Sequence, residues 1–252
     1  METLTFTRKE MASLLLSLNG TSPKSPLGMI QDIWRLRHQH DLNQGTPMTA
    51  FISMDLPPVL ERMIKSAVTP AFSLHEIVSL GAQIEYTHFS ATSIQNWVKR
   101  DFKDYIGLAE EGKKYSLQQV ALIFIIEDLR SALDYESIRK FFDIVFHVCD
   151  KKRDALIQPL DFYATYSDLF EDLDARFNIL FNERNDTINK WDHLINEVAK
   201  EYVALRTELT NDNQKATLQN AIHIAMISVH TSSFHSLARR YVNGMVFLHD
   251  LH

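Results

Sequence analysis

The sequence predicts an all-α fold, and three observations carry that expectation. Glycine is scarce, at seven in 252 residues, less than half the usual share of about 7%, which argues against folds built from many tight turns. Apolar residues recur at steps of three and four along most of the chain, the period of a helix face. Ser73, Ser90, Ser116 and Asp134 each stand directly ahead of such a pattern, where a short polar side chain caps the free amides of a helix start. At 45% apolar and 23% charged residues, the chain has the balance of a folded soluble protein.

From the N-terminus, Arg8 and Lys9 followed by residues 11–18 superficially resemble a signal peptide, but Glu10 and two serines interrupt the run, so an amphipathic helix is expected. Loops at 21–26 and 43–47, punctuated by proline and glycine, bracket a helix carrying Met29, Ile30, Ile33, Trp34 and Arg37. Pro57 and Pro58 open the next helix, with Val59, Met63 and Ala67 on one face. Ser73-Leu-His-Glu76 has the spacing of a capping box, and the helix it starts ends near Gly81. Ser90 caps a short helix through Arg100, and Ser116-Leu-Gln-Gln119 caps a strongly apolar one with Val120, Ile123, Phe124, Ile126 and Leu129. Asp134 caps a helix bearing Ile138, Phe141, Phe142 and Val145, and residues 151–154 read as a solvated boundary before Pro159.

Past Pro159, Ile188, Trp191, Ile195, Val198, Tyr202, Leu205 and Leu209 form an a/d seam over three heptads. Asn211-Asp-Asn213 breaks it, and a last helix follows with Leu218, Ile222, Ala225, Met226 and Val229, with Gly244 as its expected C-terminal cap. Three regions are expected: an N-terminal helical segment 1–70, a central domain 71–150 and a C-terminal helical domain 151–252. The apolar run 120–126 is too short for a membrane span.

Several function classes are disfavoured. A formal charge of −6 gives no generic avidity for nucleic acid. The lone Cys149 forms no internal disulfide and no thiolate zinc site, which fits a reducing cytoplasm. Gly107-Leu-Ala-Glu-Glu-Gly112-Lys113-Lys114 approaches a phosphate-binding P-loop. Lys114 stands where Ser or Thr is needed, two glutamates oppose phosphate, and no strand precedes the loop. His223, His230 and His235 lack the i, i+3 or i+4 spacing and the carboxylates of a helical metal site. No cofactor and no catalytic constellation are expected.

The informative stretch is 74–142: a helix, a turn, a short capped helix, a loop of about a dozen residues and two further helices, the order of a helix-turn-helix with a wing. On the 90–100 helix Ile94, Trp97 and Val98 are expected to face inward, leaving Thr92, Gln95, Asn96 and Lys99 as an exposed stripe ending at Arg100. Gln and Asn can pair bidentately with adenine, and Lys and Arg neutralise phosphate. Lys113 and Lys114 would tip the wing.

These residues resemble the head of MerR-type regulators. Ser90-Ala-Thr-Ser-Ile94-Gln-Asn-Trp97-Val-Lys-Arg100 occupies the place of their Ser-Pro-x-Thr-Ile-Arg-Tyr-Tyr-Glu, and Lys113-Lys-Tyr115-Ser116 is similar to the Arg-x-Tyr-Ser that closes their wing. Leu129-Arg130 and Tyr135-Glu-Ser-Ile138 resemble their Leu-Arg and Leu-Glu-Glu-Ile. The run from Thr92 to Arg100 together with Lys114-Tyr-Ser-Leu-Gln-Gln-Val-Ala121 also resembles an uncharacterised bacterial family of unknown function. The likeness covers under a third of the chain. The resemblance implies a winged head and a sequence-specific transcriptional regulator. In it Thr92, Ser93, Gln95 and Asn96 read bases in double-stranded DNA, while Lys99, Arg100, Lys113 and Lys114 hold the backbone.

Such a head reads two half-sites as a dimer, and the seam from Ile188 to Leu209 either joins two copies or is covered within the chain, as a hairpin, by the helix carrying Leu218, Ile222, Ala225 and Val229. The resemblance implies an effector pocket, for which Tyr163, Tyr166, Phe177, Phe181, Trp191 and Phe234 would supply aromatic walls, while aromatics at helical spacing otherwise read as ordinary core. The alternative is a protein-interaction module that keeps the head's fold without its DNA surface, in line with the acidic balance and with Glu110 and Glu111 in the wing.

Overall fold

A computed structural model describes residues 5–39, 56–65, 70–109, 111–146, 155–180, 187–209 and 211–249. Among them the architecture is all-α, with two isolated β-bridges and no strand. The expectations placed on Ala67, residues 43–47, Cys149, residues 151–154 and Phe181 lie outside the described residues.

Helix α1 (Arg8–Leu18) starts at a capping box of Thr7 and Glu10 and buries Met11, Leu14, Leu15 and Leu18. Helix α2 (Pro26–Arg37) is capped by Ser25 and buries Ile30, Ile33 and Trp34. Helix α3 (Pro58–Lys65) opens at its expected proline and buries Val59 and Met63. Helix α4 (Leu74–Gly81) begins at the Ser73–Glu76 capping box, made in both directions. The next segment is α5 (Ala91–Asn96), running directly into a π-helical turn (Trp97–Asp101), and α6 (Lys103–Ile106) follows. A 3-10 turn (Glu111–Lys113) leads to α7 (Leu117–Leu129), α8 (Tyr135–Val145), α9 (Pro159–Leu180), α10 (Thr187–Ala204) and α11 (Asp212–His249).

Helix α7 is the axis of the molecule. Eleven of its residues are buried, from Leu117 to Leu129, because α6, α9 and α11 pack against different sides of it. A helix apolar all round has no solvent face to spend. Helix α1 lies along α9, and α10 and α11 form an antiparallel hairpin. The buried apolar side chains from Phe6 to Val229 form one cluster, so the three regions expected from the sequence share a single core.

Two elements depart from expectation. The seam is shorter than three heptads: Ile188 in the first turn of α10 is exposed, the helix ends at Ala204 and leaves Leu205 outside it and exposed, and Trp191 and Tyr202 are half-buried. Its middle, Ile195 and Val198, is internal core covered by Leu218, Ile222, Ala225 and Val229 of α11. Gly244 caps nothing, since α11 runs on to His249 and leaves it exposed. The true cap is Asn211 at the other end, whose Oδ1 accepts from Asn213 N–H at 2.8 Å.

Adjacent acids end α7. Asp128 is buried, and its Oδ1 accepts from Arg8 Nε and Nη2 at 2.9 and 2.8 Å, while Oδ2 accepts from the Tyr166 hydroxyl at 2.7 Å. The third guanidinium nitrogen, Nη1, donates to the Glu85 carbonyl. Burial works to lower the Arg8 pKa, and the charge and hydrogen bonds of Asp128 outweigh it, so the guanidinium ends above its ordinary value. The Tyr163 and Tyr166 hydroxyls are pushed well up by burial and by the same carboxylate. This buried pair ties α1, α7 and α9 together.

Candidate nucleic-acid interface

The connection from α4 to α5 is held from behind. Phe6 donates to the Gln83 carbonyl at 2.6 Å and accepts from Glu85 N–H at 2.9 Å, pairing the N-terminal segment with this loop. The Phe89 ring lies against Gly81, where an added Cβ would stand 2.3 Å from a ring carbon. The same ring meets Phe124 of α7 edge-on at 5.2 Å. Only glycine permits that approach.

Ser90 caps α5 through Ser93 N–H, and Ile94, Trp97 and Val98 face the core as expected. Trp97 Nε1 donates to the Tyr135 hydroxyl at 2.9 Å, and the Arg130 guanidinium lies over its ring. Arg139 of α8 donates to the Asp101 carbonyl. At the junction, Phe102 N–H bonds the Trp97 carbonyl five residues back, a π-turn that shifts the register by one residue and leaves Lys99 and Arg100 outward. The inner face of this helix is thus fixed by α7 and α8.

Its outer face is open. Thr92, Gln95, Asn96, Lys99 and Arg100 are exposed, and Ser93 is half-buried at the edge of the stripe. Arg100 pairs with its neighbour Asp101 at 2.7 Å, and that hydrogen bond raises its pKa. So exposed a pair is worth little and leaves the guanidinium able to turn to another anion.

Lys113 and Lys114 lie on the loop before α7, both exposed. That loop is shaped by three left-handed residues, Gly107, Gly112 and Lys113, and the Gln119 amide clamps it by donating to the Ile106 and Leu108 carbonyls. It closes where Phe72 and Tyr115 exchange both backbone hydrogen bonds, at 2.8 and 2.7 Å. The loop lysines therefore stand beside the start of α4, and among the described residues no hydrogen bond or ion pair joins them to α5. Glu110 lies outside the described residues, as does the side chain of Glu111.

Among the described residues, the side chains named for the aromatic pocket divide between core and surface. Tyr163 and Tyr166 are core side chains packed on each other and on Phe124 and Phe162, while Phe234 is exposed. Trp191 is half-buried, edge-on to His230, and the side chain of Phe177 lies outside the described residues. A cleft of about 610 Å³ opens elsewhere, between the α4–α5 loop, the end of α7 and α11. Its lining includes Arg130, His235, Arg239 and Arg240. The adjacent pair Arg239-Arg240, unmatched by nearby acids along α11, was the sequence signal for it. Among the described residues no group of His, Cys, Asp and Glu is arranged to hold a metal ion, and no helix is long and apolar enough to cross a membrane.

Residues 66–166 match the family described as "Domain of unknown function (DUF1836)", a span that contains α4 through α8 and the start of α9. The chain is also similar to "Uncharacterized protein YkrK" of Bacillus subtilis (strain 168), 29% identical over 245 residues that cover 95% of this chain and 97% of that protein. The likeness thus runs through the flanking helices as well as the central segment. No solved structure matches the chain.

Proposed function

We propose that helices α4 to α8 form a winged helix-turn-helix head of MerR-like type and that the protein is a sequence-specific DNA-binding transcriptional regulator. One observation carries the reading: Ile94, Trp97 and Val98 lock α5 to the core while Thr92, Gln95, Asn96 and Lys99 stand uncovered on its other side. A rigid helix showing amides, a hydroxyl and a cation has the groups that base edges and phosphates require. Lys113 and Lys114, exposed on the loop before α7, are the further cations available for phosphate. The overall charge of −6 does not oppose this, because a local basic stripe is what meets the duplex.

One head makes few contacts, so two copies reading paired half-sites follow from the proposal. Ile195 and Val198 are buried within the chain, the hairpin alternative for the seam, and this supports a dimer contact on another surface. Phe234, Leu237, Tyr241 and Met245 recur at helical spacing along the end of α11 and are all exposed. An arm from Phe234 to Phe247 runs roughly 20 Å at about 1.5 Å per residue. With aromatic rings of about 150–250 Å² each, self-pairing of two arms reaches the range of about 1,200 Å² where specific interfaces begin.

The test is selection of fragments from the source genome followed by binding at several salt concentrations. Asn96→Ala is expected to cost ~1–3 kcal/mol on the selected site alone. Lys99→Ala is expected to weaken binding to every duplex and to lower the salt slope by about one. Binding no tighter to selected fragments than to scrambled duplex would refute the regulator.

A further inference from the structure

The cleft beside α11 is rich in donors and poor in acceptors. Its volume of about 610 Å³ lies within the range of about 300–1,000 Å³ typical of small-molecule sites. Three guanidinium groups line it, Arg130, Arg239 and Arg240, with His88 and His235, against one carboxylate, Glu127. That carboxylate is already engaged: it accepts from Arg130 Nε and Nη2 at 2.7 and 2.9 Å and from His88 N–H at 3.0 Å. Burial raises the Glu127 pKa, with the Arg130 contacts opposing. Arg239 and Arg240 have no ion-pair partner among the described residues. Two adjacent forks with no anion to meet face a concave wall that also bears Ser236 and Asn243.

We propose that this cleft binds a small anionic molecule carrying phosphate or carboxylate groups, gripped by Arg239 and Arg240. Arginine suits such groups because its planar fork offers two parallel charge-assisted hydrogen bonds. Concavity excludes a duplex, which needs a long open surface, and selects a compact ligand.

The same cleft touches the supports of α5. Tyr86, Thr87 and His88 line it and lie directly ahead of the Ser90 cap. Tyr86 is held in a left-handed conformation, φ 60°, with its carbonyl accepting from Ser232 of α11 at 3.0 Å. Arg130 reaches from the cleft over the ring of Trp97. An anion that draws Arg130 from Glu127, or reshapes the 86–88 loop, therefore shifts the helix that carries the exposed stripe. If the DNA-binding reading is right, occupancy changes DNA affinity, and by linkage DNA changes anion affinity by the same factor.

The experiment measures anion binding first without DNA, by calorimetry on the full chain with inorganic pyrophosphate and with citrate. Saturable binding of at least one is expected. The double variant Arg239→Gln, Arg240→Gln, whose positions are exposed and tolerant, is expected to bind about tenfold more weakly or not at all. The control Lys99→Gln, Lys114→Gln is expected to bind as the unaltered protein does. Equal binding by both variants, or no saturable binding by the unaltered protein, overturns the cleft. A second arm titrates selected DNA with and without the anion. Anion binding without any DNA binding leaves the cleft standing and removes the regulator, whereas DNA affinity lost in the cleft variant without anion present assigns these arginines to the duplex and overturns the proposal.

Discussion

Helix α7 and the end of α11 are both rich in large apolar side chains, and they dispose of them in opposite ways. Along α7, Leu117 and every residue from Val120 to Leu129 are buried. Along α11 the first half is buried at Leu218, Ile222, Ala225, Met226 and Val229, after which Phe234, Leu237, Tyr241 and Met245 stand in the open. The end of α11 also turns its polar side inward, because Ser232, His235, Ser236, Arg239 and Asn243 line the cleft. Hydropathy alone does not choose the inner face of a helix; the available neighbours do. Where α7 has helices around it, even acids are taken in, and each must find a partner. Where α11 outruns the rest of the fold, its apolar side is left for something else to cover.

The largest expected effect breaks the buried end of α7. Asp128→Ala removes the acceptor of two Arg8 hydrogen bonds and of the Tyr166 hydroxyl and strands a guanidinium in the core. Loss of one partner from such a pair costs ~3–5 kcal/mol, against about 1.5–3 kcal/mol for Tyr166→Phe, which removes one hydroxyl donor to the charged carboxylate. Urea unfolding followed by circular dichroism measures both. A cost below about 1 kcal/mol for Asp128→Ala would show that the pair does not hold α1 to α7 and α9.

A middle effect is expected where α7 meets the loop ahead of α5. Gly81→Ala places a Cβ 2.3 Å from the Phe89 ring, which itself rests on Phe124. The ring must move, and overpacking of this kind costs ~1–3 kcal/mol. Phe89→Leu in the same chain should recover part of the loss, as seen in the unfolding midpoint. Additive losses would mean that the two side chains do not share that space.

Much of this was written locally in the chain. The starts at Ser73, Ser90, Ser116 and Asp134 form as read, with each side chain accepting from a backbone amide three residues on. The inward face Ile94, Trp97, Val98 and the outward stripe of α5 were legible from helical spacing. What escaped depends on residues far apart. Arg8 and Asp128 meet across 120 positions, and nothing local to either residue names the other. Ser232 reaches Tyr86 across 146, and so the cleft had no local signature beyond the Arg239-Arg240 pair. The seam misled because period persists past a helix end: Leu205 keeps the heptad step, yet the chain has already left α10 at Ala204. The π-turn at Trp97 adds one residue without disturbing composition.

The smallest effect on stability sharpens the contrast most. Leu237→Asp with Tyr241→Asp alters two exposed positions of α11, so the folding free energy of a single chain should change by no more than about 0.5 kcal/mol. Val120→Asp in α7, at a fully buried site, should unfold the protein, because no partner for the charge is in reach. The same chemical change therefore separates a helix buried in the core from one whose apolar side is uncovered. If the arm of α11 is covered by a second copy, sedimentation should show the unaltered chain as a dimer and the α11 variant as a folded monomer with undiminished helicity. Under the proposed DNA-binding function, that variant should also lose affinity for paired half-sites while retaining weak binding to a single one, since only the linkage between copies is gone. An unaltered chain that is already monomeric at micromolar concentration, or a variant that stays dimeric, would place the dimer contact elsewhere and leave the apolar side of the arm to another partner.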